Sequence, residues 1–109
     1  MDKLQVWLED ILVAIDEIEQ DLPPVNDFNL YKKNRTAKRA IERNLEIIGE
    51  AMNRILTEDE AVKISSGRKI VNLRNQIIHG YDSISDEIIY TIATRDVPKL
   101  KAEVLQLLK

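Results

Sequence analysis

Two long stretches of the chain repeat apolar residues at the three- and four-residue spacing of an amphipathic helix. The first stretch precedes Pro23-Pro24 and carries its stripe at Leu4, Leu8, Ile11, Ile15, Ile18 and Leu22. The second begins near Thr36 and carries its stripe at Ala37, Ile41, Leu45, Ile48, Met52 and Ile55. Residues at this spacing share one face of a helix, and proline cannot continue a helix, so the pattern predicts two helices. Val25 to Leu30 is predicted to connect them.

The C-terminal half predicts shorter helices. Thr57 to Gly67 fits a loop or a short helical turn, and a third helix is predicted from Arg68 to Ile78. Ser83 or Ser85 is suited to cap a fourth helix that runs through Ile92. A final helix is predicted to start at Asp96, because Pro98 is tolerated in a first turn.

These segments together predict the fold class. The chain of 109 residues shows no strand-like alternation and no internal repeat. We therefore expect residues 1–109 to form a single all-α domain, an up-and-down bundle of four to five helices. Gly49, inside the second helix, is expected to let a neighbouring helix approach closely.

Composition restricts the chemistry. The chain has no cysteine and one histidine, so a zinc site of the usual kind is excluded, and we expect neither a metal nor a cofactor. Its start lacks the basic and apolar segments of a signal peptide, and its apolar runs are short. A cytoplasmic protein without a membrane segment is therefore expected.

The charged residues are unevenly distributed. The net charge of −3 argues against a general nucleic-acid binder, but residues 1–22 are strongly acidic and residues 32–43 are strongly basic. Lys38 and Arg39 in the basic stretch are candidate RNA contacts. The alternative, that both stretches are ordinary solvated helix faces, stays open.

The candidate chemistry lies in the third helix and just after it. Arg74, Asn75, His79 and Tyr81 lie within eight consecutive residues. Arginine holds phosphate through two parallel hydrogen bonds, and an imidazole has a pKa of about 6.5 in water, so it exchanges protons near neutral pH. The combination favours a site that handles RNA phosphates. A histidine that caps a helix, and a tyrosine that is only a half-buried aromatic, are the plainer alternatives.

Helix geometry bears on how these residues meet. At about 100° per residue, Arg74 and His79 diverge by about 140°, whereas Asn75 and His79 lie about 40° apart. Arg74 also falls near the core direction, where an unpaired guanidinium is costly to bury. We expect a two-fold dimer in which both copies line one cleft, unless Glu46 or Glu50 pairs with Arg74. The plainer expectation for those two glutamates is a solvated face with local basic partners.

The segment Arg74 to Tyr81 resembles the Arg-x4-His-x-Tyr motif of HEPN-domain toxins of the HepT kind. Further resemblance lies in Arg43 to Ala51, in Asp96 to Leu100 and in the opening Trp7 to Leu12, so it covers most of the chain.

The resemblance implies a HEPN-like helical bundle that dimerises and acts as a metal-independent endoribonuclease toxin. It implies that Arg74 and His79 are catalytic and that Asn75 supports them. It further implies that a cognate minimal nucleotidyltransferase, the antitoxin, attaches AMP to Tyr81 and thereby silences the toxin. The alternative function is a non-catalytic partner or substrate-binding subunit of that nucleotidyltransferase.

Overall fold

The fold is built from helices in the part of the chain that the structure describes. The structure is a computed structural model that describes residues 2–59, 61–62, 64–65, 67–78 and 85–109. No strand occurs in these ranges. The helices are α1 (Lys3–Asp21), α2 (Phe28–Lys33), α3 (Arg35–Glu58), α4 (Gly67–Ile78), α5 (Asp86–Thr91) and α6 (Val97–Leu107), with a π-helical segment at Ile92–Asp96 that joins α5 to α6. Because α5 and α6 form one continuous helical stretch, the predicted all-α bundle of four to five helices is confirmed.

Helix α1 follows the predicted apolar stripe. The Asp2 side chain caps it by accepting a hydrogen bond of 2.8 Å from the Gln5 backbone N–H. The helix ends at Asp21, just before the two prolines. Its core-facing residues are Leu8, Ile11, Ala14, Ile15 and Ile18.

The connector predicted from Val25 to Leu30 is wrong in its second half. Helix α2 begins at Phe28, because Asp27 accepts hydrogen bonds from the backbone N–H groups of Asn29 (2.9 Å) and Leu30 (3.3 Å). An aspartate that the pattern assigned to a turn is therefore a helix N-cap. The helix is tied to the core by Tyr31, which is fully buried.

Helix α3 is the central element. It packs against α1 and against α4, and its N-terminus is capped by Asn34, whose side chain accepts a hydrogen bond of 3.0 Å from the Ala37 N–H. Its buried residues are Ala37, Ile41, Asn44, Leu45, Ile48, Gly49, Ala51, Met52, Ile55 and Leu56. Helix α3 therefore holds α1, α2 and α4 together, whereas α6 packs on α1 and α5 packs on α2.

The loop predicted between Thr57 and Gly67 starts later than expected, because α3 continues to Glu58. The loop is attached to α6 at Ser65. The Ser65 backbone N–H and hydroxyl donate to the two carboxylate oxygens of Glu103 over 2.8 and 3.2 Å.

The C-terminal stretch differs from the prediction at Asp96. Ser85 caps α5 as predicted, by accepting a hydrogen bond of 3.2 Å from the Ile88 N–H. Asp96, however, makes no side-chain cap and lies within a continuous helix. In a regular helix the ring of Pro98 would clash with the carbonyl of Thr94, and a π-helical turn at that point avoids the clash. The final helix, α6, thus begins at Val97 with Pro98 in its first turn, close to the predicted start, but it follows the π-helical segment without a break.

None of the helices in the described ranges is long and apolar enough to cross a membrane.

Candidate functional site

Arg74 lies where α4 packs tightly against Gly49 of α3. A Cβ atom added to Gly49 of α3 would overlap the Cβ of Arg74 and would lie 3.1 Å from both the Arg74 Cγ and the Ile70 carbonyl oxygen. Next to Arg74 in α4, Val71 and Leu73 are buried in the core. Glycine at position 49 thus determines how deeply the base of the Arg74 side chain enters the interface. The close approach predicted for Gly49 is confirmed.

The guanidinium of Arg74 meets a neutral partner. Its Nη1 donates a hydrogen bond of 3.0 Å to the side-chain oxygen of Asn75. Within the residues that the structure describes, its buried Nε has no hydrogen-bond partner. A rigidly packed side chain with a positive charge and a free donor is suited to hold an anionic oxygen.

The two glutamates considered as partners for Arg74 bind elsewhere. Glu46 pairs with Arg43 over 3.0 Å, and Glu50 pairs with Arg54 over 2.9 Å. Both pairs join residues three or four apart on α3, as the plainer expectation held. Neither glutamate therefore neutralises Arg74 in these pairs.

Asn75 is exposed and adjacent to the arginine. The sequence predicted that it lies on the histidine side of the helix, where it would orient the imidazole or contact a phosphate oxygen. In the structure its side-chain oxygen accepts from Arg74. This hydrogen bond orients the guanidinium of Arg74.

His79 and Tyr81, the other two motif residues, lie outside the described residues, as does Gly80. Their predicted roles, and the angle between Arg74 and His79, stay predictions. The described helix α4 ends at Ile78, directly before the histidine, and Ile78 is 51% exposed.

The basic stretch divides into two kinds of residue. Lys38 is largely buried and forms an ion pair of 3.2 Å with Asp86 of α5, whereas Arg39 is exposed. Lys38 is therefore engaged in joining α3 to α5, and Arg39 is the freer of the two candidate RNA contacts. No sequence pattern indicated Asp86, which is separated from Lys38 by 48 positions.

Two further titratable groups lie near this ion pair. Burial raises the pKa of Glu42, and the neighbouring Asp86 raises it further, while Lys38 lowers it. Burial also raises the pKa of Tyr31, with Glu42 and Asp86 adding to the effect. In the described part of the chain the buried Tyr31 hydroxyl has no hydrogen-bond partner. Sequence patterns did not indicate this polar cluster, since each member follows an ordinary helix pattern.

Comparisons with known proteins agree with the motif. The sequence profile described as Ribonuclease HepT-like matches residues 11–107. A protein of Methanocaldococcus jannaschii named "Putative RNase MJ1380" is 34% identical over 103 residues, which cover 93% of each chain. A protein of Thermococcus cleftensis named "Probable ribonuclease HepT" is 31% identical over 106 residues, which cover 94% of each chain.

A further protein of Methanocaldococcus jannaschii, named "Putative RNase MJ0127", is 32% identical over 110 residues, covering 97% of this chain and 88% of its own length. No solved structure gives a significant match. Since the profile spans nearly the whole helical bundle and the relatives align over almost their full lengths, the chain belongs to the HepT-like ribonuclease family.

Proposed function

We propose that this chain is a metal-independent endoribonuclease toxin of a toxin–antitoxin module, and that it acts as a homodimer in the cytoplasm. The observation that carries the proposal is the environment of Arg74. Its base is packed against Gly49, its Nη1 is oriented by Asn75, and Glu46 and Glu50 are engaged with other arginines. A positive charge held in this way is available to a phosphate.

The reaction follows from what RNA cleavage requires. A base removes the proton of the ribose 2'-hydroxyl, whose oxygen attacks the adjacent phosphorus, and an acid protonates the 5'-oxygen that leaves. Charge that develops on the phosphate oxygens needs a fixed cation. We assign the cation to Arg74 and the proton transfers to His79. No step needs a metal ion.

The dimer gives the site both proton-transfer groups. One imidazole serves as the base only when neutral and as the acid only when charged, so two copies of His79 in one cleft supply both forms at once. Ile78 at the end of α4 is 51% exposed, and an exposed apolar residue next to the motif suits an interface between two copies.

Tyr81 is the proposed point of control. The family resemblance implies that a minimal nucleotidyltransferase transfers AMP to this tyrosine. A bulky anionic group two residues from His79 would occupy the cleft and repel RNA. Arg74 and His79 thus cleave, and Tyr81 is the residue through which cleavage is stopped.

The test compares purified wild-type protein with Arg74→Ala and His79→Ala on a defined RNA, in buffer containing EDTA. We expect wild-type cleavage to yield a 2',3'-cyclic phosphate end and each variant to lose it while the dimer survives, as measured by light scattering. Cleavage that persists in both variants would refute the assignment.

The same proteins distinguish the alternative function. Co-expression with an adjacent small nucleotidyltransferase, followed by intact-mass measurement, should show AMP additions that Tyr81→Phe abolishes. AMP addition to a wild-type protein that cleaves no RNA would instead identify a non-catalytic substrate-binding subunit.

A further inference from the structure

A groove runs along the seam between α1 and α3. It consists of two adjoining cavities of about 300 and 380 Å³, which share Glu17, Asn44 and Ile47 as lining residues. We call it the α1–α3 groove. None of its lining residues comes from α4, the helix that carries Arg74, so the groove and the proposed RNA site occupy different faces of α3.

The floor and one end of the groove are apolar. Val13 is 63% exposed, and Trp7 and Ile47 are only partly buried. Asn44 is 7% exposed and is the polar residue of the floor. Its amide nitrogen donates to the Ala40 carbonyl over 3.2 Å, and this is its one side-chain hydrogen bond within the described residues. An exposed valine beside a tryptophan is the kind of surface that a partner's apolar side chains cover.

The α1 wall of the groove is acidic. Asp10, Glu17 and Asp21 line it, and no basic residue of α1 does so. These carboxylates lie on the same side of the helix as Val13, since they are three, four and eight positions from it.

The α3 wall does not offset this charge. Its two basic residues, Arg43 and Arg54, are paired with Glu46 and Glu50. The groove therefore combines an apolar floor with a negative rim. Such a surface repels RNA and attracts a cationic segment.

We propose that the α1–α3 groove binds a basic amphipathic helix of a partner protein. The apolar side of that helix would pack on Trp7, Val13 and Ile47, and its lysines or arginines would face Asp10 and Glu17. Helices of this kind enter apolar grooves through residues spaced three and four apart. A second copy of this chain is a poorer occupant, because a two-fold contact would place the two acidic walls of α1 against each other.

The groove lies next to the turn of α3 that contacts Arg74. Two consecutive residues of α3 face different neighbours: Gly49 packs on Arg74 of α4, and Glu50 lines the α1–α3 groove. A partner bound in the groove thus contacts the same turn of α3 that positions Arg74. The docking itself does not depend on the proposed ribonuclease activity.

The experiment uses the full chain and reads the fluorescence of Trp7, which is the only tryptophan. The probe is a synthetic helical peptide of about four turns, with leucine at the core positions and lysine elsewhere. The control peptide keeps the leucines and replaces every lysine by glutamate. We expect saturable binding of the basic peptide and at least about tenfold weaker binding of the acidic one.

Two matched double variants show whether binding depends on the carboxylates of the groove or only on the net charge of the chain. Asp10→Lys/Glu17→Lys should weaken binding of the basic peptide by about tenfold, since two attractive carboxylates are replaced by cations that repel its lysines. Glu9→Lys/Asp16→Lys changes the net charge equally on α1 outside the groove, and should leave the affinity within about threefold of wild type. Urea unfolding of each variant confirms that it folds.

Three outcomes would overturn the proposal. Equal binding of both peptides would show that charge plays no part, and equal losses in the two double variants would show a non-specific charge effect. Dissociation of a dimer by Val13→Asp, a change at an exposed position that the fold tolerates, would show that a second copy covers the groove. RNA cleavage is measured separately, because substitutions in the groove leave Arg74 and His79 unchanged.

Discussion

Gly49 of α3 and Arg74 of α4 share a contact that leaves no room for a Cβ atom on the glycine. The overlap would be with the Arg74 Cβ, an atom fixed to the backbone, so α4 would have to shift as a whole to relieve it. Two packed helices therefore meet at the residue proposed to hold the phosphate. How deeply the Arg74 side chain enters the interface therefore depends on Gly49 of α3 as well as on the position of α4.

Gly49→Ala is expected to lower the free energy of unfolding by about 1–2 kcal/mol. Overpacking of a core costs about 1–3 kcal/mol, and the better helix propensity of alanine offsets up to about 1 kcal/mol of this. RNA cleavage should fall by more than the stability loss explains, because the guanidinium moves. Urea unfolding and a cleavage assay measure the two effects.

Gly67→Ala is the matched control for this variant. A Cβ at position 67 would approach the Cε of Met52, the free end of a flexible side chain that can move away. Cleavage should stay near wild type. If Gly49→Ala also cleaves normally, the close approach does not position Arg74.

The parts of the fold that were predictable are those determined by local apolar spacing. Helices α1 and α3 follow their stripes, because burial of one face decides where such a helix lies. The start of α2 at Phe28 was missed, since an aspartate before a short segment fits a turn as well as an N-cap. The π-helical segment before Pro98 was missed, because proline also fits the first turn of a new helix.

The candidate site was predictable only in part. The motif indicated Arg74 as a candidate, which stays a prediction, and Gly49 indicated the close helix approach that the structure shows. The pairing of Lys38 with Asp86 was not predictable, because it joins residues far apart in sequence through the way α5 packs on the N-terminal half of the bundle. Long-range pairs of this kind have no periodic signature within either helix.

The two candidate RNA contacts should behave differently when changed. Lys38→Met should lower stability by about 1 kcal/mol, because it leaves the half-buried Asp86 without its cation. Lys38→Met/Asp86→Asn should recover part of that loss. Urea unfolding measures both.

Arg39→Ala should leave stability within about 0.5 kcal/mol of wild type, since its side chain is exposed. If RNA passes over this face, the same change should weaken RNA binding and reduce its salt dependence. Unchanged salt dependence in Arg39→Ala would show that the basic stretch is only a solvated face.

Ile78→Asp is expected to dissociate the proposed dimer and abolish cleavage while the helices remain. The side chain is 51% exposed at the end of the motif helix, so the monomer tolerates a charge there, whereas an apolar interface does not. Light scattering gives the mass, and circular dichroism confirms the helices. Leu105→Asp, at a position 46% exposed on α6, should stay dimeric and active. A dimeric and active Ile78→Asp would place the interface elsewhere.

Glu42→Gln is expected to stabilise the fold near neutral pH. Burial and the nearby Asp86 raise the pKa of the Glu42 carboxyl above its ordinary value of 4.5, although Lys38 partly offsets them. Between the unfolded and folded pKa values the folded state holds more protons, so its stability falls as pH rises through that interval. Above the interval the charged carboxylate costs stability at every pH.

Glutamine removes this cost, so its advantage should be largest near neutral pH and should vanish below the ordinary pKa. The size is at most about 1 kcal/mol, because the side chain is partly accessible to solvent, which weakens both its desolvation and its repulsion by Asp86. Urea midpoints of wild type and Glu42→Gln across this pH range measure the difference. Glu9→Gln, a change at an exposed glutamate on α1, controls for the general loss of a negative charge. A glutamine variant that is less stable near neutral pH than wild type would mean that attraction to Lys38 outweighs the burial of the carboxylate.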